Sequence, residues 1–288
     1  MTVRLFFLVT AVVCVCGLGG CKPLPKVPTV LAQNASLDDV IAAVNNNNAK
    51  KQRLNTTDAR ITIDGAAVSL SSNIVYESPK KYRATGEAFL SKQFDIGSNN
   101  ELFWVWIKQD QRNAIYFGRH EQYESNPVRD TFQIDPGWLI ESMGMCVFQP
   151  PPHEQHRLVA RTAEGSWVIE TQRPTALGTY TKYTTVDGKT ACVLMQELRN
   201  PSGQIVASAI SQSHALDTST GITYPETVDM LFSMQGKKLA MRLSIGRVQF
   251  NQASPFTADA FTMPTYPGYD VVDICGQSGN QWSAMNGQ

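Results

Sequence analysis

"FDIGSNNELFWVWIK", residues 94–108, is the stretch on which the fold turns. A Gly-Ser-Asn-Asn break leads into an unbroken apolar run, Leu102 to Ile107. Strand alternation puts Phe103, Val105 and Ile107 on one face and Leu102, Trp104 and Trp106 on the other. A strand apolar on both faces needs cover on both. Helices would supply one cover; packed core or a bound lipid would supply the other.

The same period-two pattern extends in both directions. Before it stand "ARITIDGAAVSL" (59–70), "SSNIVYESP" (71–79) and "KKYRATGEAFLSKQ" (80–93). After it come "NAIYFGRH" (113–120), "HRLVART" (156–162), "SWVIETQR" (166–173), "YTKYTTVDGKTACVLMQEL" (180–198), "QIVASAISQ" (204–212), "YPETVDMLFSM" (224–234) and "KLAMRLSIGRVQF" (238–250). Turn residues separate them at hairpin spacing, which predicts about ten or eleven strands in an antiparallel meander. Asp64-Gly65 reads as a two-residue turn, pairing Ile63 with Ala66 and Ile61 with Val68, and Asp187-Gly188 reads as another. Two helices interrupt the strands. "SLDDVIAAVNNNN" (36–48) has Ser36 as N-cap and Asp38 and Asp39 in its first turn, with the asparagines expected to fray its end. "IDPGWLIESMGM" (134–145) has Asp135 at the N-cap, Pro136 at the first helical position and Gly144 where a terminating glycine belongs. The tail after Phe250 is rich in Pro, Gly, Ser and Asn and reads as irregular.

The N-terminus carries an address. Arg4 is the only charge before Lys22, and an apolar run from Leu5 to Val15 is followed by Gly17, Gly19 and Gly20. The run is too short to span a bilayer and reads as a secretory signal. "LGGC", ending at Cys21, resembles a bacterial lipobox, in which the cysteine is acylated and becomes the first residue of the mature chain. Two or more acyl chains there give stable anchoring. Lys22 stands where an Asp would favour inner-membrane retention, so the outer membrane, facing the periplasm, is the expected address. Three prolines within residues 22–28 make an extended tether, whose fourteen or so residues reach roughly 40 Å.

The pattern "IVYESPKKYR…FDIGSNNELFWVW…IYFGRHE…IDPGWLIESMG" resembles the LolA/LolB-like lipoprotein carrier superfamily. The resemblance implies a half-open antiparallel barrel with an N-terminal helix and a short plug helix, and a concave face that accepts acyl chains or lipoproteins. On that reading Tyr82, Phe89, Trp104, Trp106 and Trp138 are candidate cavity-lining residues, and Arg83 is a candidate polar contact. Because Tyr82 and Arg83 alternate, one of them faces inward; an outward Arg83 would pair with a neighbour such as Glu87. The chain departs from the family in its long C-terminal hairpins and in having no evident exposed apolar loop tip.

Other function classes find little support. With 25 basic and 25 acidic residues, the chain has no basic excess for nucleic acid. "PPPHEQH" sets His153 and His156 one residue short of a zincin pair and behind three prolines. "CGQSGN" is not a nucleophile elbow, and there is no phosphate-cradling glycine loop. No cofactor, metal or enzyme activity is expected. Cys146, Cys192 and Cys275 permit one disulfide of undetermined pairing. The organisation read from sequence is thus a signal peptide (1–20), an anchor and tether (21–35), a half-barrel domain (36–250) and an irregular tail (251–288). Its function is either acyl-chain or lipoprotein binding in a cavity, or an interaction role with a filled core.

Overall fold

The computed structural model describes residues 25–65, 68–108, 112–128, 136–234, 237–252 and 257–276. The signal-like segment, Cys21, Ala66 and the N-cap position Asp135 lie outside these residues, as does the end of the tail.

Helix α1 (Leu37–Ala49) begins with a reciprocal cap. Ser36 Oγ accepts from the Asp39 N–H at 3.2 Å, and the Asp39 carboxylate accepts from the Ser36 N–H at 2.8 Å. The asparagine run does not fray the helix. Asn45 clasps the backbone N–H and C=O of Phe148 (2.9 and 3.0 Å), and Asn47 clasps those of Thr223 (3.1 and 2.9 Å). A carboxamide presents donor and acceptor side by side, as a neighbouring strand would.

The strands are β1 (Arg53–Ile63), β2 (Leu70–Glu77), β3 (Lys81–Ala88), β4 (Ser91–Ser98), β5 (Leu102–Ile107), β6 (Ala114–Arg119), β7 (Gln155–Arg161) and β8 (Trp167–Thr175). They continue with β9 (Gly178–Val186), β10 (Val193–Arg199), β11 (Ile205–Asp217), β12 (Ile222–Met234), β13 (Lys237–Ile245), the short β14 (Gln249–Phe250) and β15 (Asp270–Asp273). Among the described residues these fifteen strands form one open sheet, ordered β15-β6-β5-β4-β3-β2-β1-β13-β12-β11-β10-β9-β8-β7, with β14 beside β1. Every pairing is antiparallel except β15 on β6. Two meanders therefore meet at the β1–β13 seam. Between β6 and β7 lie the single-turn α2 (His120–Tyr123) and α3 (Pro136–Ile140). A π-turn, Glu141–Met145, continues α3, with Gly144 left-handed at φ 87°. The edge strand β7 is broken by a bulge between Leu158 and Ala160, which blunts it against further pairing.

Both expected two-residue turns are longer. Ile61 faces Leu70 across β1–β2, not Val68, so more than two residues connect the two strands. Val186 faces Val193, so the Asp187-Gly188 connection extends to Cys192, with Ala191 at φ 56°. In both cases the strand keeps its buried residues on the core face, and loop length yields to register.

Both helices cover the concave face. Val40 and Val44 of α1 pack with Trp167, Ile169 and Val186 at one end of the sheet. Trp138, Leu139, Ile140 and Met143 pack over its middle, within a core that includes Phe103 and Val105. A buried ionic cluster fixes the π-turn: Glu141 accepts from Lys182 Nζ (2.7 Å) and Arg173 Nη2 (2.6 Å), and Arg173 Nε also binds Glu154. Burial opposes ionisation of Glu141, but the two cations outweigh it and hold the carboxyl at about 2.

The tail is not wholly irregular. Its 3₁₀ turn (Ala258–Phe261) and β15 form a strap across the convex face. There Met263, Tyr266 and Tyr269 cover Trp104, Trp106 and Ile115, and the Tyr266 ring stacks on Trp106 at 3.8 Å and 14°. The second cover that β5 requires is thus supplied by the chain itself.

Candidate functional site

Where α3 and α1 leave the concave face bare, seven strands and the π-turn enclose a cleft of about 210 Å3. Its walls are Ile61 and Ile63 of β1, Leu70 and Ile74 of β2, Tyr82 and Ala84 of β3, Gln93, Phe94 and Ile96 of β4, and Ile107 of β5. Met230 and Phe232 of β12, Leu239, Met241 and Leu243 of β13, and Leu139 and Met143 complete it. Among these residues only Tyr82 and Gln93 carry a polar side chain, and none is charged. The Gln93 amide is engaged within its own hairpin, donating to Ser91 Oγ at 2.8 Å and to the Ser91 carbonyl at 3.0 Å. Three flexible methionine side chains let the walls adapt to ligand shape.

The floor of the cleft is formed by the buried Ile74, Tyr82, Met143 and Leu243, and its mouth by the more exposed Ile63, Ile107 and Leu239. Close approach of backbone and ring shapes one wall. The Phe94 ring lies over Gly86, where an added Cβ would sit 2.0 Å from ring carbon Cε1. Only a glycine on β3 leaves room for that ring.

The β3–β4 hairpin tip rises beside the mouth. Ala88 pairs with Ser91, leaving a two-residue turn of Phe89 (φ 50°) and Leu90 (φ 59°). These side chains are 84% and 104% exposed. Such a turn favours Asn-Gly, and two bulky residues with φ > 0 are strained. An exposed apolar loop tip is therefore present, contrary to the expectation from sequence.

The sequence candidates are distributed around this site. Tyr82 lines the cleft. Phe89 stands at its rim rather than in its wall. Trp138 is buried in the central core beside Leu139, behind the cleft. Trp104 and Trp106 are on the opposite face of the sheet, under the strap, and do not line the cleft. Arg83 shares that convex face, and its partner is Asp95, not Glu87. Arg83 Nε and Nη2 bind the Asp95 carboxylate at 3.0 and 2.8 Å, while Trp104 Nε1 (3.1 Å) and the Tyr266 hydroxyl (2.8 Å) donate to it as well. Arg83 Nη1 reaches the Ala260 carbonyl at 3.2 Å, tying the strap down. Sequence reasoning missed Met143, Met230, Met241 and Leu243. The alternation of Met230, Met241 and Leu243 on β12 and β13 was visible, but not which face would remain uncovered.

His156 is held by Thr171 Oγ1 (3.0 Å) and the Gln149 carbonyl (2.7 Å). No cluster of metal-ligating side chains occurs among the described residues.

No family model and no curated protein matches the sequence. Solved structures do. The candidate outer membrane lipoprotein-sorting protein domain of Vibrio parahaemolyticus superposes with a TM-score of 0.50 at 11% identity, over 77% of this chain and 95% of that one. A LolA superfamily protein of Nitrosomonas europaea gives 0.48 at 11%, over 80% and 98%. A DUF1329 family protein of Desulfovibrio piger gives 0.48 at 10%, over 78% and 96%. At these identities the likeness speaks to fold alone: the chain has a mainly β, open-barrel fold like that of the Vibrio domain.

Proposed function

We propose that the chain is a lipid-anchored module of the cell envelope that binds acyl chains, free or carried by a lipoprotein, in the concave cleft. The observation that carries this reading is the cleft itself: aliphatic, aromatic and methionine walls without charge, with buried residues at its floor and more exposed ones at its mouth. Three features support it. The fold is shared with a candidate lipoprotein-sorting domain. The strained Phe89-Leu90 turn holds apolar side chains in water beside the mouth, and strain retained at an exposed site points to use. The lipobox-like "LGGC" would tether the module through Cys21, at the outer membrane facing the periplasm. The role is carriage or reception, not catalysis.

Two measurements test this. The delipidated protein should bind an environment-sensitive naphthylamine probe saturably. Gly86→Ala, which drives the Phe94 ring off β3 and into the cleft, should weaken that binding severalfold while costing about 1–3 kcal/mol of stability. A wild-type protein that binds no probe would reject the cleft and favour an interaction lipoprotein with a filled core. Separately, Cys21→Ser should release the protein from the membrane fraction; unchanged association that needs detergent to break would sink the anchor.

A further inference from the structure

Tyr82 is unlike the rest of the cleft. It is 4% exposed, yet its hydroxyl has no hydrogen-bond partner among the described residues. Its cross-strand neighbour Tyr76 differs, since its hydroxyl meets Ser78. Nor is the Tyr82 oxygen sealed in packing. Among the described residues, the fully enclosed side-chain polar atoms without partners are Asn48 Oδ1, Trp106 Nε1, Trp138 Nε1, Thr184 Oγ1 and Gln196 Oε1. The space left for the Tyr82 hydroxyl is the cleft that its ring lines.

A buried hydroxyl without a partner carries a desolvation cost. Phenylalanine would fill the same volume without that cost. Tyr82 also sits far from the hairpin tip beside the mouth: six positions of β3 separate it from Ala88, roughly 20 Å along the strand. A ligand headgroup resting at the rim cannot reach it. No cation lines the cleft, so an ionised carboxylate brought to that depth would be desolvated without compensation.

We propose that the cleft takes a chain-like apolar ligand bearing one uncharged oxygen function, a hydroxyl or a carbonyl, at the far end or deep along the chain, and that the Tyr82 hydroxyl hydrogen-bonds it at the floor. This rests on the acyl-binding reading and narrows it: a plain saturated chain fills the walls but leaves Tyr82 unpaired. Tyr82 is then a specificity-determining residue, and Ile74, Met143 and Leu243 fix the ligand's depth.

The test uses the delipidated full chain and displacement of the naphthylamine probe by a matched series: n-tridecane, dodecanol, methyl undecyl ketone and the laurate anion. Wild type should bind the alcohol and the ketone more tightly than the alkane. Tyr82→Phe should weaken those two by roughly three- to tenfold, the worth of one neutral hydrogen bond, and leave the alkane unchanged. An effect on the alcohol alone means Tyr82 accepts; an effect on both means it donates. Tyr82→Phe should melt no lower than wild type, because it removes an unpaired hydroxyl, whereas a structural tyrosine would show a lower melting point. Equal losses across the series, or none, would overturn the inference while leaving the acyl cleft standing. A wild-type protein that binds no probe would overturn both.

Discussion

Asp95 is the residue on which the convex face depends. A single fully buried carboxylate gathers Arg83, Lys92, Trp104 and Tyr266, so it joins β3, β4, β5 and the strap at one point. Burial resists its ionisation, but these donors, Arg83 foremost, hold its pKa below the ordinary range. The stability it confers is present above the unfolded value of about 3.9 and is lost as pH falls through the lower folded value. Asp95→Asn strands the Arg83 guanidinium and should cost about 3–5 kcal/mol. Limited proteolysis should then cut between residues 257 and 276 well before the rest of the chain. Lys51 behaves in the opposite sense. Its ammonium is buried, donates to the Gly144 carbonyl at 2.5 Å, and is pushed down to about 8 by desolvation, against the Cys192 and Cys146 thiols. An unfolded lysine keeps its proton to about pH 10.4, so between about pH 8 and 10.4 the unfolded chain binds more protons and stability rises with pH. The difference in unfolding free energy between wild type and Lys51→Met should climb by about 3 kcal/mol across that window. A flat difference would mean that Lys51 is solvated.

At the scale of elements, the β3–β4 hairpin tip separates stability from use. Replacing Phe89-Leu90 with Asn-Gly relieves two bulky left-handed residues and should stabilise the fold by about 1 kcal/mol. The same change should abolish co-sedimentation of the protein lacking residues 1–21 with phospholipid vesicles. Unaltered vesicle binding would show that the tip is only a tolerated turn. This tip was illegible in the sequence because turn rules expect Asn, Asp or Gly, and "FL" reads as strand interior. By contrast, β5 was legible residue by residue: its alternation gave both faces correctly, and the need for two covers followed. The identity of the covers did not follow. The strap's β15 is a four-residue run between turn-forming residues, and nothing local distinguishes it from loop. The hairpin lengths failed for a related reason, since Asp-Gly signals a turn without stating how much chain it must absorb to keep Leu70 inward. The asparagines of α1 were read as a frayed end because their backbone partners, Phe148 and Thr223, are more than a hundred residues away.

At the scale of the molecule, the architecture was readable and the site only partly so. The meander, the capped first helix and the Pro136-led second helix follow from period and caps. The cleft does not, because it is what remains after α1, α3 and the strap have claimed their faces. Tyr82, one of the sequence candidates, lies in the cleft wall; Trp104 and Trp106 were assigned to the cavity because large aromatics on an amphipathic strand read the same from either side. The strap carries one more consequence, and it concerns time. Residues 91–119 are synthesised long before residues 257–276, whose Met263, Tyr266 and Tyr269 pack on Trp104, Trp106 and Ile115 and whose β15 pairs with β6. A chain emerging from the ribosome would therefore bare an indole stripe and an unpaired strand edge until the strap arrived. Such surfaces invite aggregation and holdase binding, and the strap is a belated chaperone for the strands made before it.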